Sequence, residues 1–254
     1  MTDTTYISEG NAKTECFSFD LPARDTCPGR TEFCASKCYA AKLSSAYPNV
    51  GRKYERNKAF AESANFIRHM IANIPYGRDF RIHVSGDFYS WQYVQAWVEI
   101  VKARRDVRFY AYTRSWRDSV IWFDLQKLGA FSNMTLNLSC DKETGIPDCE
   151  NAQDYRWCYM TDNDEGPFWL RSNDIVFRTN HNARQGNHQW KRNKAVKNGQ
   201  DPDAIAPLLH RIADAIVCPF ERGKDMPANF SCARCQLCVR KPKTQGVPEC
   251  NSSS

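Results

Sequence analysis

Short β-type runs alternate with helix-like segments through the middle of this chain, and each run ends in a polar or reactive residue. FRIHVS (80–85) leads to Gly86-Asp87, VRFYAY (107–112) to Thr113-Arg114-Ser115, and MTLNLS (134–139) to Cys140-Asp141. DIVFR (174–178) leads to Thr179-Asn180-His181, and DAIV (214–217) runs straight into Cys218-Pro219. Between the first three lie two helical patterns. SWQYVQAWVEIVKARR sets Tyr93, Val94, Trp97, Val98 and Val101 on one stripe, and SVIWFDLQKLG closes at Gly129. An earlier amphipathic segment, KYERNKAFAESANFIRHMIANI, ends before Pro75. Such alternation gives right-handed βαβ units and a parallel sheet. The strands alternate little in polarity, as expected when both sheet faces are covered. In parallel sheets function gathers at the carboxyl ends of the strands, which here carry Asp87, Arg114, Cys140, His181 and Cys218.

A full eight-unit barrel takes about 250 residues, nearly all of the 254 in this chain. Both ends are cysteine-rich, so the expected fold is α/β: a partial parallel (β/α) barrel with an N-terminal cysteine loop and a C-terminal cluster-binding tail. The barrel and its loop are expected over residues 1–217, with the acidic, turn-rich stretch 141–173 as an insertion or lid. The tail, residues 218–254, is expected to pack on the same domain. A chain that is 42% hydrophobic and 25% charged can bury a real core. No apolar stretch reaches bilayer length, and MTDTTYISEGNAK has no apolar signal region. The expectation is a cytoplasmic protein without a membrane partner. In a reducing compartment, twelve cysteines point to metal binding rather than a disulfide framework.

Those cysteines fall into groups. Cys218-Pro219 followed by Cys232, Cys235 and Cys238 in SCARCQLC matches the needs of a ferredoxin-type 4Fe–4S cluster. The tight run supplies three iron ligands and the remote cysteine the fourth. Zinc, normally held by paired C-x-x-C knuckles or a Cys/His mix, and disulfides are the alternatives. Cys218 caps the last strand, so this tail is expected to fold back over the mouth of the sheet. The second group is Cys27, Cys34 and Cys38 in TCPGRTEFCASKCYAAK. Three thiol ligands would leave one iron of a second 4Fe–4S cluster open to substrate or cofactor. Cys16 is a candidate fourth ligand that would close the site, and Pro28-Gly29 favours a turn with free backbone amides. Cys140, Cys149 and Cys158 recur around the acidic stretch, as plain thiols or as a loose third site with Asp148 or His181. Cys250 lies near the Ser tail.

The net charge of +6 is mild. The basic segment 184–199 interleaves Trp190 with Lys191, Arg192 and Lys194, which suits phosphate contacts beside a stacked base; a solvated face is the plainer alternative. His83 reads either as an inward, hydrogen-bonded histidine or as a catalytic one. Arg114 can bind a carboxylate or phosphate bidentately, or neutralise Asp87.

NAKTECFSFDLPARDTCPGR, KCYAAK, RIHVSGDFYSWQYVQAW, FYAYTRSW and CPFE…CARCQLC resemble the gene product 88 family of phage and plasmid proteins. The resemblance covers roughly residues 11–139 and 214–240 and implies a mobile-element origin. More distantly, the layout resembles radical S-adenosylmethionine enzymes, in which three cysteines hold a 4Fe–4S cluster whose open iron chelates the cofactor. The loop here reads C-x6-C-x3-C rather than C-x3-C-x2-C, and Tyr39 follows Cys38 instead of preceding it. This second resemblance implies that Ser85, Gly86 and Asp87 bind S-adenosylmethionine. It also implies that Asp87, Arg114 and His181 are catalytic, with the last two lining the substrate side. The tail cluster would relay electrons or bind a small-molecule substrate. The competing expectation is a non-enzymatic module, stabilised by iron–sulfur or zinc, that binds nucleic acid through 184–199 or a host protein.

Overall fold

The structure, a computed structural model, describes residues 6–10, 15–162, 166–179, 198–199, 211–212, 215–218 and 232–242. Its framework is one eight-stranded sheet. The strands are β1 (Phe17–Phe19), β2 (Phe80–Ile82), β3 (Phe109–Thr113), β4 (Met134–Asp141), β5 (Arg156–Thr161), β6 (Ile175–Arg178), β7 (Arg211–Ile212) and β8 (Ala215–Val217). Their spatial order is β1-β2-β3-β4-β5-β6-β8-β7. Seven strands are parallel, and only β7 runs antiparallel, at the edge beside β8. The expected α/β fold with a parallel sheet is therefore present.

The helices are α1 (Glu32–Lys37), α2 (Tyr39–Ala46), α3 (Pro48–Ala61), α4 (Phe66–Asn73), α5 (Trp91–Ala103) and α6 (Ser119–Ala130), and Cys232–Cys235 forms one further helical turn. The sheet-covering helices α5 and α6 start where the sequence offers a cap, while α3 starts at Pro48 without one. Ser90 Oγ accepts from Tyr93 N at 3.3 Å at the start of α5, and Asp118 Oδ1 accepts from Val120 N and Ile121 N at α6. The stripe Tyr93, Val94, Trp97, Ile100 and Val101 of α5 packs with Leu125 and Leu128 of α6 against Phe80, Ile82, Phe109, Ala111, Leu136 and Leu138. Fully buried side chains such as Phe80 and Phe109 each contribute roughly 1.5–3 kcal/mol. This helix-covered face carries the main core.

Strand alternation sends the neighbouring side chains to the opposite face. There Arg81 lies over the Tyr112 ring at 4.9 Å and Arg156 Nη1 donates to Asn137 Oδ1 at 3.2 Å. Part of the tail covers this face. Asn137 Nδ2 donates to the Cys238 carbonyl (3.1 Å) and Thr135 Oγ1 to the Val239 carbonyl (2.6 Å). Lys241 Nζ reaches the Gly129 carbonyl at 2.9 Å, and Gln236 Nε2 reaches Asp79 at 3.3 Å.

Three expectations change. Residues 141–173, expected as an insertion or lid, contain β5, which pairs with β4 and β6 inside the sheet. Its sequence RWCYMT hid the strand because Arg156 and Cys158 face inward, where Asn137 and apolar neighbours receive them. The long helix expected before Pro75 is two, α3 and α4, separated by residues 62–65. The described tail residues 232–242 lie across the face of the sheet rather than over its mouth. Gln236, Val239 and Lys241 bond to Asp79, Thr135 and Gly129, while Leu237 and Cys238 pack beside Tyr112 and Phe177.

Candidate functional site

Beyond the carboxyl ends of β1–β4, four loops are tied together by buried polar groups. Asp87 is the centre. Its Oδ1 accepts from Phe88 N and Thr113 Oγ1, both at 2.7 Å, and its Oδ2 accepts from Arg114 N at 2.7 Å. Burial dominates these donors and pushes its pKa up to about 6. Arg114, itself buried, pairs through Nη1 with Asp141 Oδ2 at 2.8 Å, and Asp141 also accepts from Thr31 Oγ1 at 2.7 Å. Arg114 Nε has no hydrogen-bond partner among the described residues. Ser85 Oγ donates to the Leu21 carbonyl at 2.8 Å, which fastens the β2 end to the loop after β1.

This network seats the loop that carries Cys27, Cys34 and Cys38, none of which is in a disulfide. Two glycines allow the seating. A Cβ on Gly29 would stand 1.9 Å from the Arg114 carbonyl oxygen. Gly86 has φ +85°, and a Cβ there would meet Leu21 Cβ and Thr26 Oγ1 at 2.6 Å. Capping then places the other two thiols. Thr31 Oγ1 accepts from Cys34 N at 3.0 Å as the cap of α1, while Cys38 Sγ accepts from Ala41 N at 3.4 Å as the cap of α2. Tyr39 Oη donates to the Val84 carbonyl at 2.7 Å, which joins α2 to the loop after β2.

Electrostatics links the three thiols. Burial pushes Cys27 up to about 12, and the charges of Asp87, Cys34 and Cys38 add to the rise. Cys34 is raised by burial and by Cys38, but Arg114 opposes the shift through its charge and a hydrogen bond. Thiols held protonated mainly by burial, with a smaller contribution from neighbouring negative charge, are ones a bound cation would help to ionise. The donor set is also all sulfur, which suits iron–sulfur or zinc. As placed, however, no group of three or more His, Cys, Asp or Glu among the described residues is arranged to hold a metal ion. Binding would have to draw the thiols together.

Beside α1 lies a cavity of about 310 Å³, at the carboxyl end of β5, lined by Phe33, Lys142, Tyr159, Thr161 and Asp162 among others. This is at the small end of ligand-pocket sizes.

The structure thus brings together Ser85, Gly86, Asp87, Arg114, Cys27, Cys34 and Cys38. Their roles differ from simple ligand contact, because both Asp87 oxygens already serve protein donors. Cys16 stands apart. It precedes β1 and its Sγ lies 3.2 Å from Tyr110 Oη on the tail-covered face, away from the Cys27 loop. Cys140 is in the helix-side core while Cys158, in register with Ser139, faces the other way. His181, Asn180, Cys250 and nearly all of the 184–199 segment lie outside the described residues. Sequence reasoning missed Thr31 and Asp141, although Thr31 before EFCASK carries a recognisable helix-cap signal. His83 is the inward kind: its Nε2 is 2.9 Å from Tyr93 Oη in the core.

A family described as Gene product 88 matches residues 2–241. The Gene 88 protein of Mycobacterium phage D29 is 31% identical over 160 residues, a stretch covering 56% of this chain and 65% of that protein. The Gene 88 protein of Mycobacterium phage L5 is 30% identical over 160 residues with the same coverage. The chain spans about 65% of the length of these curated relatives. No solved structure matches. The family resemblance read from the motifs is borne out, whereas none of these matches supports the resemblance to radical S-adenosylmethionine enzymes. No described helix is long and apolar enough to cross a membrane.

Proposed function

The chain belongs to the gene product 88 family, and for this member we propose a mobile-element iron–sulfur protein that works as a radical S-adenosylmethionine-like enzyme. The observation that carries the reading is the seating of Cys27, Cys34 and Cys38 on one loop and its two short helices at the carboxyl edge of a parallel sheet. That edge is where such sheets place their chemistry. The uninterrupted β1-to-β6 strand order also suits a partial barrel. A 4Fe–4S cluster bound there would supply one-electron reduction of S-adenosylmethionine.

The chain's own residues have definite tasks in this reading. Gly29 and Gly86 let the loop lie against the strand ends. Asp87 locks the β2 and β3 ends together. Arg114 holds positive charge beside Cys34, favouring its thiolate, and the cavity beside α1 would receive a small substrate. Anaerobic reconstitution with iron and sulfide, reduction with dithionite, and an assay for 5′-deoxyadenosine test the proposal. Cofactor cleavage is expected. An intact cluster without cleavage would sink the enzyme, and a colourless protein with stoichiometric zinc would sink the cluster as well.

A second reading, a non-enzymatic metal-stabilised module, is favoured by one observation. Asp87 is saturated by protein donors, and Arg114 is paired with Asp141. The same groups would then serve only to hold the loop. Nucleic-acid binding lost on Lys191 and Arg192 substitution, with no cofactor cleavage, would select this reading.

A further inference from the structure

The tail-covered face of the sheet contains a second gathering of thiols, and one of its members lies far in sequence from the tail motif. Cys158 of β5 is 2% exposed and sits in one apolar cluster with Ile175 and Cys218. Tyr112, Phe177, Leu237 and Cys238 pack against the same cluster. Strand geometry explains the meeting. Cys158 is in register with Ile175, Ile175 with Ile216, and Cys218 follows two residues later on the same side. Cys238 is delivered from the opposite direction, its carbonyl held by Asn137 Nδ2 at 3.1 Å.

Further contacts tighten the group. The Cys238 thiol is hydrogen-bonded to Tyr112 and lies close enough to Cys158 for its charge to act there, and the Cys235 charge acts on Cys238 in turn. The cluster offers sulfur donors in apolar surroundings, with the charges of Arg156 and Asp174 also acting on Cys158. As placed these thiols are not yet arranged around a metal, so binding would draw them together.

We propose that Cys158 is a ligand of the tail metal site, together with Cys218 and Cys238, and that the site is completed from the Cys232–Cys235 turn. The ligand class is a thiolate-bound soft metal, either an iron–sulfur cluster or a single zinc ion. The tail site is then built into the sheet, with one ligand supplied by a central strand. This inference rests on the metal-binding reading of the tail, though not on the N-terminal loop or on any enzyme activity.

The test uses the full chain with Cys27, Cys34 and Cys38 replaced by Ala, so that only the second group can bind. Titration with cobalt(II) reads the thiolate-to-metal charge-transfer band, and parallel reconstitution with iron and sulfide distinguishes a cluster from a single ion. In this background Cys158→Ser should lower the band by about a quarter, one thiolate of four, and weaken cobalt binding at least tenfold. Cys158→Val preserves the apolar packing and should behave alike, with circular dichroism confirming that either variant folds. Full charge-transfer intensity in the Cys158 variants, with loss on Cys218→Ser and Cys238→Ser, would overturn the role of Cys158 while leaving the tail site standing. No thiolate band in the background protein would overturn the tail reading itself, and this inference with it.

Discussion

The two thiol groups of this molecule sit in contrasting surroundings. Cys27, Cys34 and Cys38 are half-buried, on a loop, inside α1 and at the cap of α2, under a network of Asp87, Arg114, Asp141 and Thr31. Cys158, Cys218 and Cys238 lie among Ile175, Phe177, Leu237 and Tyr112. One group is positioned by charge and hydrogen bonding, the other chiefly by packing, with hydrogen bonds at Cys238. A site of the first kind can open to solvent and ligand, as chemistry requires. A site of the second kind is shielded, which suits structure or electron transfer.

If this contrast is right, substitutions should separate the two groups. The largest effect is expected from Arg114→Ala. It leaves the fully buried Asp141 carboxylate without its cation, and such breakage costs about 3–5 kcal/mol. Urea unfolding should show the loss, and metal retained by the loop should fall while the tail band persists. Replacing the pair together, as Arg114→Met with Asp141→Leu, should cost less. Gly29→Ala comes next. Its new Cβ collides with the Arg114 backbone, a strain of roughly 1–3 kcal/mol. Loop metal content should drop by more than the modest stability loss explains. Equal loss of metal from both groups in either variant would erase the distinction.

His83→Asn touches neither group and sharpens the comparison as a control. Burial lowers the His83 pKa from 6.5 to about 3, so the folded protein keeps this ring neutral. The unfolded chain takes up the proton first. His83 therefore contributes stability above pH 6.5 that is lost as pH falls toward 3, with a slope of about 1.4 kcal/mol per pH unit. Asn tolerates the positive φ of +68° at this position, and the variant should show a flatter acid limb by thermal unfolding with metal content unchanged. The smallest effect is expected from Tyr112→Phe, which removes the hydrogen bond to Cys238 at about 1 kcal/mol. It should shift the tail band and leave loop metal alone.

Much of this architecture is legible from residue patterns. FRIHVS, VRFYAY, MTLNLS and DIVFR become β2, β3, β4 and β6 because apolar runs of that length need a covered sheet. The polar residues after them assemble at one edge because parallel strands point their ends the same way. β5 escaped notice because Arg156 and Cys158 take inward positions that a local pattern assigns to solvent. β1 escaped because only three residues, Phe17–Phe19, pair with β2. The role of Asp87 was also hidden. A carboxylate after a glycine reads as a ligand for a cofactor amine, whereas its three donors come from Phe88, Thr113 and Arg114, which only the folded backbone brings near. The meeting of Cys158 with Cys218 and Cys238 depends on strand register and the path of the tail, neither of which is written in spacing.

The central claim is that Cys27, Cys34 and Cys38 hold an iron–sulfur cluster. It is tested most directly by iron and acid-labile sulfide analysis after anaerobic reconstitution, comparing the full chain with its Cys27→Ala, Cys34→Ala, Cys38→Ala variant. The account predicts that the variant, folded by circular dichroism, loses one cluster's complement of iron and sulfide. Equal iron and sulfide in the two proteins would contradict it.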